Sequence, residues 1–240
     1  MSNVIALTSG KGGAGKTTFA VNIAAALAAG GAKTVLLDMN AGTRNADIYL
    51  GLESKVLFDL ADVLSGVCTL EKATVRDEHF ARLSLISGPQ YKLINGMSEG
   101  HVKLIVKKLR ESFDYVVIDC PAGLGEDFAN TAAAAEAALI IVTPDYAGIR
   151  NSEVVDRRLA SLGVEKRFVA VNMYSAADCT GEELPDIARI KASFAAPLAG
   201  TVPLDMNIHI ANNTGCPVMC DGQSHTARIF LNIAKQLAGK

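Results

Sequence analysis

Residues 4–18 read VIALTSGKGGAGKTT, and this stretch decides how the rest of the chain is interpreted. Residues 4–8 are an apolar, β-branched run that predicts a buried strand, and the Ala-rich residues 17–29 predict a helix closed by Gly30 and Gly31. Between them, residues 10–17 match the pattern G-x-x-x-x-G-K-[ST] in its proper strand–loop–helix setting. The stretch therefore predicts a phosphate-binding loop, in which backbone N–H groups and the helix N-terminus attract an anion.

The loop residues are expected to share the contacts to a metal-bound nucleotide. Lys16 is expected to reach the β- and γ-phosphates, and the Thr17 hydroxyl is expected to ligate Mg²⁺. The expected nucleotide-binding set from this loop is Gly10, Lys11, Gly12, Gly13, Ala14, Gly15, Lys16, Thr17 and Thr18.

Strand-like and helix-like segments alternate through the rest of the chain. Apolar runs predict further strands at residues 34–38, 83–87, 115–119, 138–143, 168–172 and 198–202. Apolar residues at helical spacing predict helices at residues 56–64, 101–112, 153–162 and 226–237. This alternation predicts a doubly wound α/β fold: a mostly parallel sheet with helices on both faces, as in P-loop NTPases. No linker or repeat interrupts it, so residues 1–240 are expected to form a single domain.

Two carboxylates follow predicted strands at the edge of the sheet where ligands bind. Asp119 ends the run YVVID and is expected to hold Mg²⁺ directly or through water, as a Walker-B-type residue does. Asp38 ends the run TVLLD. Thr17, Asp38 and Asp119 are therefore the expected metal-binding set.

Charge and cysteine usage exclude several classes of protein. The chain has 240 residues and a net charge of −2, which argues against a constitutive nucleic-acid binder. Five scattered cysteines without a signal peptide indicate a reduced, cytoplasmic protein. No apolar stretch is long enough to cross a membrane.

The loop carries a further lysine, Lys11, close to its start. Residues 11–18 (KGGAGKTT) resemble the deviant Walker A motif of the MinD/ParA ATPases, a SIMIBI-type group of P-loop proteins. The resemblance implies that Mg-ATP is bound between two copies of the chain, and that Lys11 reaches the partner's phosphates. It also implies slow ATP hydrolysis, with a catalytic set of Lys11, Lys16, Asp38, Asn40 and Asp119.

Within that family, the chain most resembles the MinD group of cell-division regulators. Residues 38–47 (DMNAGTRNAD) resemble its switch I, and residues 119–123 (DCPAG) resemble its switch II. The resemblance implies an ATP-dependent homodimer, protein partners of the MinC and MinE kind, and peripheral association with the inner face of the cell membrane. A flagellar-placement regulator of the same family is an alternative.

Asn40 departs from the family pattern, which has an aspartate at this position. An amide is neutral and cannot accept a proton from an attacking water. We therefore expect slow or absent hydrolysis, with nucleotide binding and dimerisation retained. A nucleotide-dependent binding module without hydrolysis is the corresponding alternative function.

Two other regions depart from the family pattern. The helix at residues 226–237 has few cations, so we expect core packing and weak or no intrinsic membrane binding. Asn172 is where the family reads adenine, but Met173 replaces the arginine that usually follows. Pro203 and Asp205 resemble the family's second adenine-contacting loop.

Cys216 and Cys220 suggest a different class of function. Their spacing offers two thiolates, and a dimer would bring four together, as in metal- or cluster-delivery ATPases of this class. No second Cys or His pair stands beside them, and the flanking His209 and His225 are lone histidines, so two reduced cysteines in a loop are the simpler interpretation.

Overall fold

Eight strands form one sheet in the computed structural model, which describes residues 4–89 and 97–239. The strand order is β3-β4-β2-β5-β1-β6-β7-β8, and every neighbouring pair is parallel except β3 and β4. The strands are β1 (Val4–Ser9), β2 (Thr34–Asp38), β3 (Thr74–Arg76), β4 (Leu83–Ile86), β5 (Tyr115–Asp119), β6 (Ala137–Val142), β7 (Lys166–Tyr174) and β8 (Leu198–Pro203). The predicted strands are thus confirmed, and among the strands of the described residues only the short antiparallel β3 was not predicted.

Helices connect the strands. The α-helices are α1 (Lys16–Ala29), α2 (Ala46–Tyr49), α3 (Leu60–Leu64), α4 (Leu70–Ala73), α5 (Glu99–Leu109), α6 (Glu126–Ala132), α7 (Tyr146–Ser161), α8 (Ile187–Ala192), α9 (Met206–Thr214) and α10 (His225–Leu237). Short 3₁₀ turns lie at Glu53–Lys55 and Val218–Cys220.

The prediction of a helix at residues 56–64 is wrong for residues 56–59. Asp59 accepts hydrogen bonds from the backbone N–H groups of Ala61 and Asp62, so the helix begins only after this cap. The helix predicted at residues 153–162 in turn begins too late. Asp145 caps it by accepting from the Gly148 N–H at 2.7 Å, so α7 begins at Tyr146.

Side chains of each strand alternate between two apolar layers. Ile5 and Leu7 of β1 pack with α1 and α10 on one face of the sheet. Val4 and Ala6 pack with α5, α6 and α7 on the other face. Both faces of the sheet are therefore covered by helices, which confirms the predicted doubly wound α/β fold.

The apolar face of helix α10 packs into the core of the protein. Phe230 is fully buried and meets Phe19 of α1 edge to face, with ring centroids 5.0 Å apart. Ile233 and Leu237 of the same face are also buried in this core. The expectation of a core-packing helix is confirmed. Within residues 4–89 and 97–239, no helix combines the length and the apolar character that a membrane crossing needs.

Candidate nucleotide site

The functional residues collect at the carboxyl ends of the central strands. The loop between β1 and α1 leaves the sheet at β1, which lies between β5 and β6. Asp38 and Asp119, the last residues of β2 and β5, face each other as register partners and are both fully buried. The predicted carboxylates are thus neighbours beside the predicted phosphate loop, at the edge where parallel sheets bind ligands.

Two glycines of the loop are needed for space. A Cβ added at Gly15 would lie 2.3 Å from the Asn172 side-chain nitrogen, and Gly15 has a φ of +97°. A Cβ added at Gly10 would lie 2.4 Å from the backbone of Asn151 in α7. These contacts hold the loop tightly against β7 and α7, so its backbone position is set by the surrounding fold.

The Thr17 hydroxyl and the Asp119 carboxylate are directly connected. Thr17 Oγ1 donates to Asp119 Oδ2 at 2.6 Å. Asp38 Oδ2 and Asp119 Oδ1 are buried without a hydrogen-bond partner. Unpaired buried carboxylate oxygens beside a hydroxyl are the oxygen ligands that Mg²⁺ prefers. The residues present therefore fit the predicted Mg²⁺ site of Thr17, Asp38 and Asp119.

Asn40 lies between the two carboxylates. Its Nδ2 donates to Asp38 Oδ1 at 3.0 Å and to Asp119 Oδ2 at 2.8 Å, and its backbone N–H donates to Asp38 Oδ1 at 2.9 Å. Both partners accept, so the amide nitrogen must point toward them. An aspartate here would place a third negative charge within hydrogen-bond distance of two others.

Burial shapes the charge state of this pair. Desolvation, followed by the negative charge of Asp38, raises the pKa of Asp119 above its ordinary value. Desolvation also raises the pKa of Asp38, against the hydrogen bonds from Asn40, and Asp47 adds a smaller effect in the same direction. Two buried carboxylates this close favour a bound cation, which would compensate their charge.

Lys11 extends away from the loop into solvent. Its ammonium lies 3.3 Å from Asp145 Oδ2, and half of the lysine side chain is exposed. Burial works against ionisation of Asp145, but hydrogen bonds from Thr143 and the Gly148 N–H, together with Lys11, lower its pKa. Exposed ion pairs contribute only about 0–1 kcal/mol, so Lys11 can leave Asp145 at little cost.

A cavity of about 400 Å³ opens in front of the loop. It is lined by six of the predicted loop residues and Asn40, and by Thr43, Asn45 and Ala122 of the two switch stretches. It also includes residues that sequence reasoning did not assign to the site: Tyr49, His209 and Asn212. Burial and then the charge of Asp119 raise the pKa of Tyr49, which keeps its hydroxyl protonated.

Helix α9 supplies His209 and Asn212, and this helix was not predicted. Asn212 Nδ2 donates to Thr18 Oγ1 at 3.0 Å, which ties α9 to the start of α1. The capping residues Asp205 and Gly215 at either end of the helix are the signals that would have revealed it.

The residues predicted at the adenine lie near the loop but have other contacts here. Asn172 is buried, and its Nδ2 donates to the Ala14 carbonyl at 2.8 Å, which supports the loop from below. Asp205 caps α9 and accepts from Thr226 Oγ1 at 2.6 Å. Pro203 ends β8 beside it. Adenine contacts by these three residues stay predictions.

Met173, which stands where the family usually has arginine, lines the nucleotide cavity. Its φ of 57° is the only positive value among the non-glycine residues in the described ranges. Left-handed backbone at a methionine is strained, and such strain concentrates at functional sites.

Comparisons with known proteins agree with this geometry. A family model described as an AAA domain matches residues 2–156. The chain is 36% identical to the septum site-determining protein MinD of Synechocystis sp., over 100% of this chain and 91% of that protein. It is 32% identical to MinD of Bacillus subtilis, over 100% of this chain and 90% of that protein.

Solved structures show the same relationship. A chain of the MinC:MinD cell division protein complex from Aquifex aeolicus has a TM-score of 0.91 and 31% identity, covering 99% of this chain and 96% of that chain. The septum site-determining protein MinD complexed with Mg-ADP from Pyrococcus horikoshii has a TM-score of 0.87 and 26% identity, covering 99% and 96%. Together with the phosphate loop and the switch stretches, these matches show that the chain belongs to the MinD/ParA family of P-loop ATPases, within its MinD group.

Proposed function

We propose that the protein is a MinD-like switch that binds Mg-ATP, dimerises around the nucleotide and hydrolyses it slowly in the spatial regulation of bacterial cell division. The observation that carries the proposal is the contact of Thr17 with Asp119 beneath the phosphate loop, beside two unpaired carboxylate oxygens. This arrangement suits a metal-bound polyphosphate.

The phosphates would lie in the loop, where Lys16 and the loop glycines line the cavity, and the backbone N–H groups of the loop would stabilise their charge. Thr17, Asp38 and Asp119 would hold Mg²⁺, directly or through water. When it is bound, Mg²⁺ neutralises negative charge on the phosphates. Asn172 steadies the loop by its hydrogen bond to the Ala14 carbonyl, so the donors need little rearrangement.

Hydrolysis would proceed by attack of water on the γ-phosphate. Asn40 lies where the family has a carboxylate, and its amide nitrogen is engaged by Asp38 and Asp119. It cannot take the proton of the water, so the reaction depends on charge stabilisation by Lys16 and Lys11. Turnover should therefore be slow.

Dimerisation would use Lys11. Its weak, exposed pairing with Asp145 leaves it free to contact the phosphates of a second copy. Leu204 and Met206, just before and at the start of α9, are exposed apolar side chains, and the same helix lines the nucleotide cavity with His209 and Asn212. Nucleotide-dependent pairing is thus supported by both charge and exposed apolar area.

The partner would be a protein of the MinC or MinE kind, since a structural relative comes from a MinC:MinD complex. The described part of α10 commits its apolar face to the core, so this helix supports at most weak intrinsic membrane binding. We place the protein in the cytoplasm, with any attachment to the membrane surface peripheral.

Size-exclusion chromatography and ATP turnover test the proposal. The intact chain should elute as a dimer with Mg-ATP and as a monomer with Mg-ADP. Lys11→Ala should bind ATP but stay monomeric, whereas Lys16→Ala should lose nucleotide affinity itself. A chain that stays monomeric with saturating Mg-ATP would refute the switch.

A second candidate function is a nucleotide-dependent binding module without hydrolysis. The observation that favours it is the engagement of Asn40 by both carboxylates. ATP-dependent dimerisation with no measurable phosphate release would establish it.

A further inference from the structure

A cluster of metal-ligating side chains lies outside the nucleotide site. His79 Nδ1 or Nε2 and the sulfur atoms of Cys216 and Cys220 all lie within 4.8 Å of one another. His79 comes from the turn between β3 and β4, whereas Cys216 precedes and Cys220 ends the 3₁₀ turn before α10. Residues 137 and more positions apart in the chain are thus assembled by the fold.

We propose that His79, Cys216 and Cys220 form a Zn²⁺ site with three protein ligands and one exchangeable position. Two thiolates and one imidazole select a borderline-soft ion over Mg²⁺ or Ca²⁺, which prefer oxygen ligands. Tetrahedral Zn²⁺ with bonds of about 2.0–2.3 Å needs ligand atoms about 3.5–4 Å apart. The three ligand atoms, all within 4.8 Å of one another, exceed that spacing by at most about 1 Å, and the proposal requires side-chain rotations that close this difference.

Asp77 provides an independent observation at the same place. It is 4% exposed, and its Oδ2 is buried without a hydrogen-bond partner. Its Oδ1 accepts from the backbone N–H groups of His79 and Phe80 at 2.9 and 2.7 Å, so it fixes the turn that carries His79. Asp77 and Cys220 are also close enough to interact electrostatically. A buried, unpaired carboxylate beside three ligands favours a cation there.

The cysteine loop is held in place without a metal. Val218 and Met219 between the cysteines are buried, and the Met219 N–H donates to Asn22 Oδ1 of α1 at 3.4 Å. Cys216 and Cys220 also line a groove of about 510 Å³ that opens to solvent. The ligands are therefore preorganised, and the groove gives a water or a second molecule access to the fourth position.

The thiols would release their protons to solvent as each Zn–S bond forms, and the imidazole would bind through a neutral nitrogen lone pair. No oxidant is needed for the binding step.

Zn²⁺ titration of the reduced, nucleotide-free chain tests the site. We expect one Zn²⁺ per chain, and Co²⁺ in its place should show thiolate-to-cobalt absorption bands. Cys216→Ser, Cys220→Ser and His79→Asn should each weaken Zn²⁺ binding by more than the roughly 10–100-fold that loss of an outer partner costs. Asp77→Asn should weaken it within that smaller range.

Cys68→Ser and His101→Asn are matched controls, because each removes the same chemical group away from the cluster, and both should bind Zn²⁺ normally. Circular dichroism checks that the variants fold. Absence of thiolate–cobalt bands in the folded, reduced parent chain would overturn the proposal, and so would one Zn²⁺ shared by two chains. Because nucleotide is absent, a failure of the proposed ATP switch cannot produce either result.

Discussion

The side-chain nitrogen of Asn40 lies 2.8 Å from Asp119 Oδ2 and donates to it. This contact places a neutral amide where an acidic side chain would meet two buried carboxylates. The pairing of β2 with β5 places Asp38 beside Asp119, and the hydrogen bonds from this amide offset part of the repulsion between the two carboxylates.

Replacing Asn40 by aspartate should increase ATP turnover by about 10²–10⁴-fold, since the new carboxylate can accept a proton from water. Without Mg²⁺, the same change should lower thermal stability, because three carboxylates then share one buried region. Phosphate release and melting temperature, each with and without Mg²⁺, check this. The Lys16→Ala background supplies the baseline, and equal turnover of Asn40→Asp and the parent chain would contradict it.

The pH dependence of stability should change in Asp119→Asn. Because burial and Asp38 raise the pKa of Asp119, the native state binds this proton more tightly than the unfolded chain does. The contribution of Asp119 to stability therefore falls as pH rises from the ordinary value of 3.8 through the raised pKa. Asparagine does not titrate, so the variant should gain stability over the parent chain as pH increases.

Melting temperatures in a chelator from about pH 5 to about pH 8 test this, since both chains are then compared without a metal ion. Saturating Mg-nucleotide should reverse the order of stability, because only the parent chain keeps the Asp119 carboxylate that would bind Mg²⁺. A difference between the two chains that stays constant over the whole pH range would count against the raised pKa.

Asp145→Asn should release Lys11 while keeping the cap of α7, because asparagine caps helices as well as aspartate does. An exposed ion pair contributes at most about 1 kcal/mol, so the ATP concentration needed for dimerisation should fall by no more than about five-fold. Size-exclusion profiles over an ATP series measure this. If dimerisation disappears instead, Asp145 itself contacts the second copy.

Three alanine substitutions in the phosphate loop should differ in a fixed order. Gly12→Ala meets open space without a positive φ, and Gly13→Ala meets open space at a φ of +76°. Gly15→Ala combines a φ of +97° with a Cβ 2.3 Å from Asn172. Left-handed backbone costs about 1–2 kcal/mol for a residue with a side chain, so Gly13→Ala should lose that amount.

Gly15→Ala should lose more stability than Gly13→Ala, and Gly12→Ala should be near neutral. Denaturant unfolding without nucleotide checks the order. Adding Asn172→Ala to Gly15→Ala should recover the steric part of the loss only. Equal effects of the three substitutions would show that neither space nor backbone angle limits the loop.

Phe230→Ala should destabilise the chain by about 3–5 kcal/mol, because a fully buried aromatic ring and its contact with Phe19 are lost. Lys235→Ala, on the exposed side of the same helix, should change stability by less than about 0.5 kcal/mol. Denaturant unfolding gives both values. A small effect of Phe230→Ala would mean that α10 can leave the core, and vesicle binding should then be retested.

Much of the fold was predictable because its signals are local. Strands buried on both faces are continuous apolar runs, as at β2 and β5, and the phosphate loop is a contiguous motif. The places of Asp38 and Asp119 followed from the rule that parallel strands present their carboxyl ends together. The helix error at residues 56–64 arose because periodicity alone does not reveal the cap at Asp59.

The amino-acid sequence by itself thus determined the parallel α/β architecture, the phosphate loop and the two carboxylates that face it. Only the tertiary structure decided that Asn40 links those carboxylates, that His209 and Asn212 face the nucleotide cavity, and that His79 meets the two cysteines. The physical reason is distance along the chain: contacts such as these depend on strand order, crossover packing and helix caps. Local sequence patterns do not indicate which remote segments of the chain the sheet brings together.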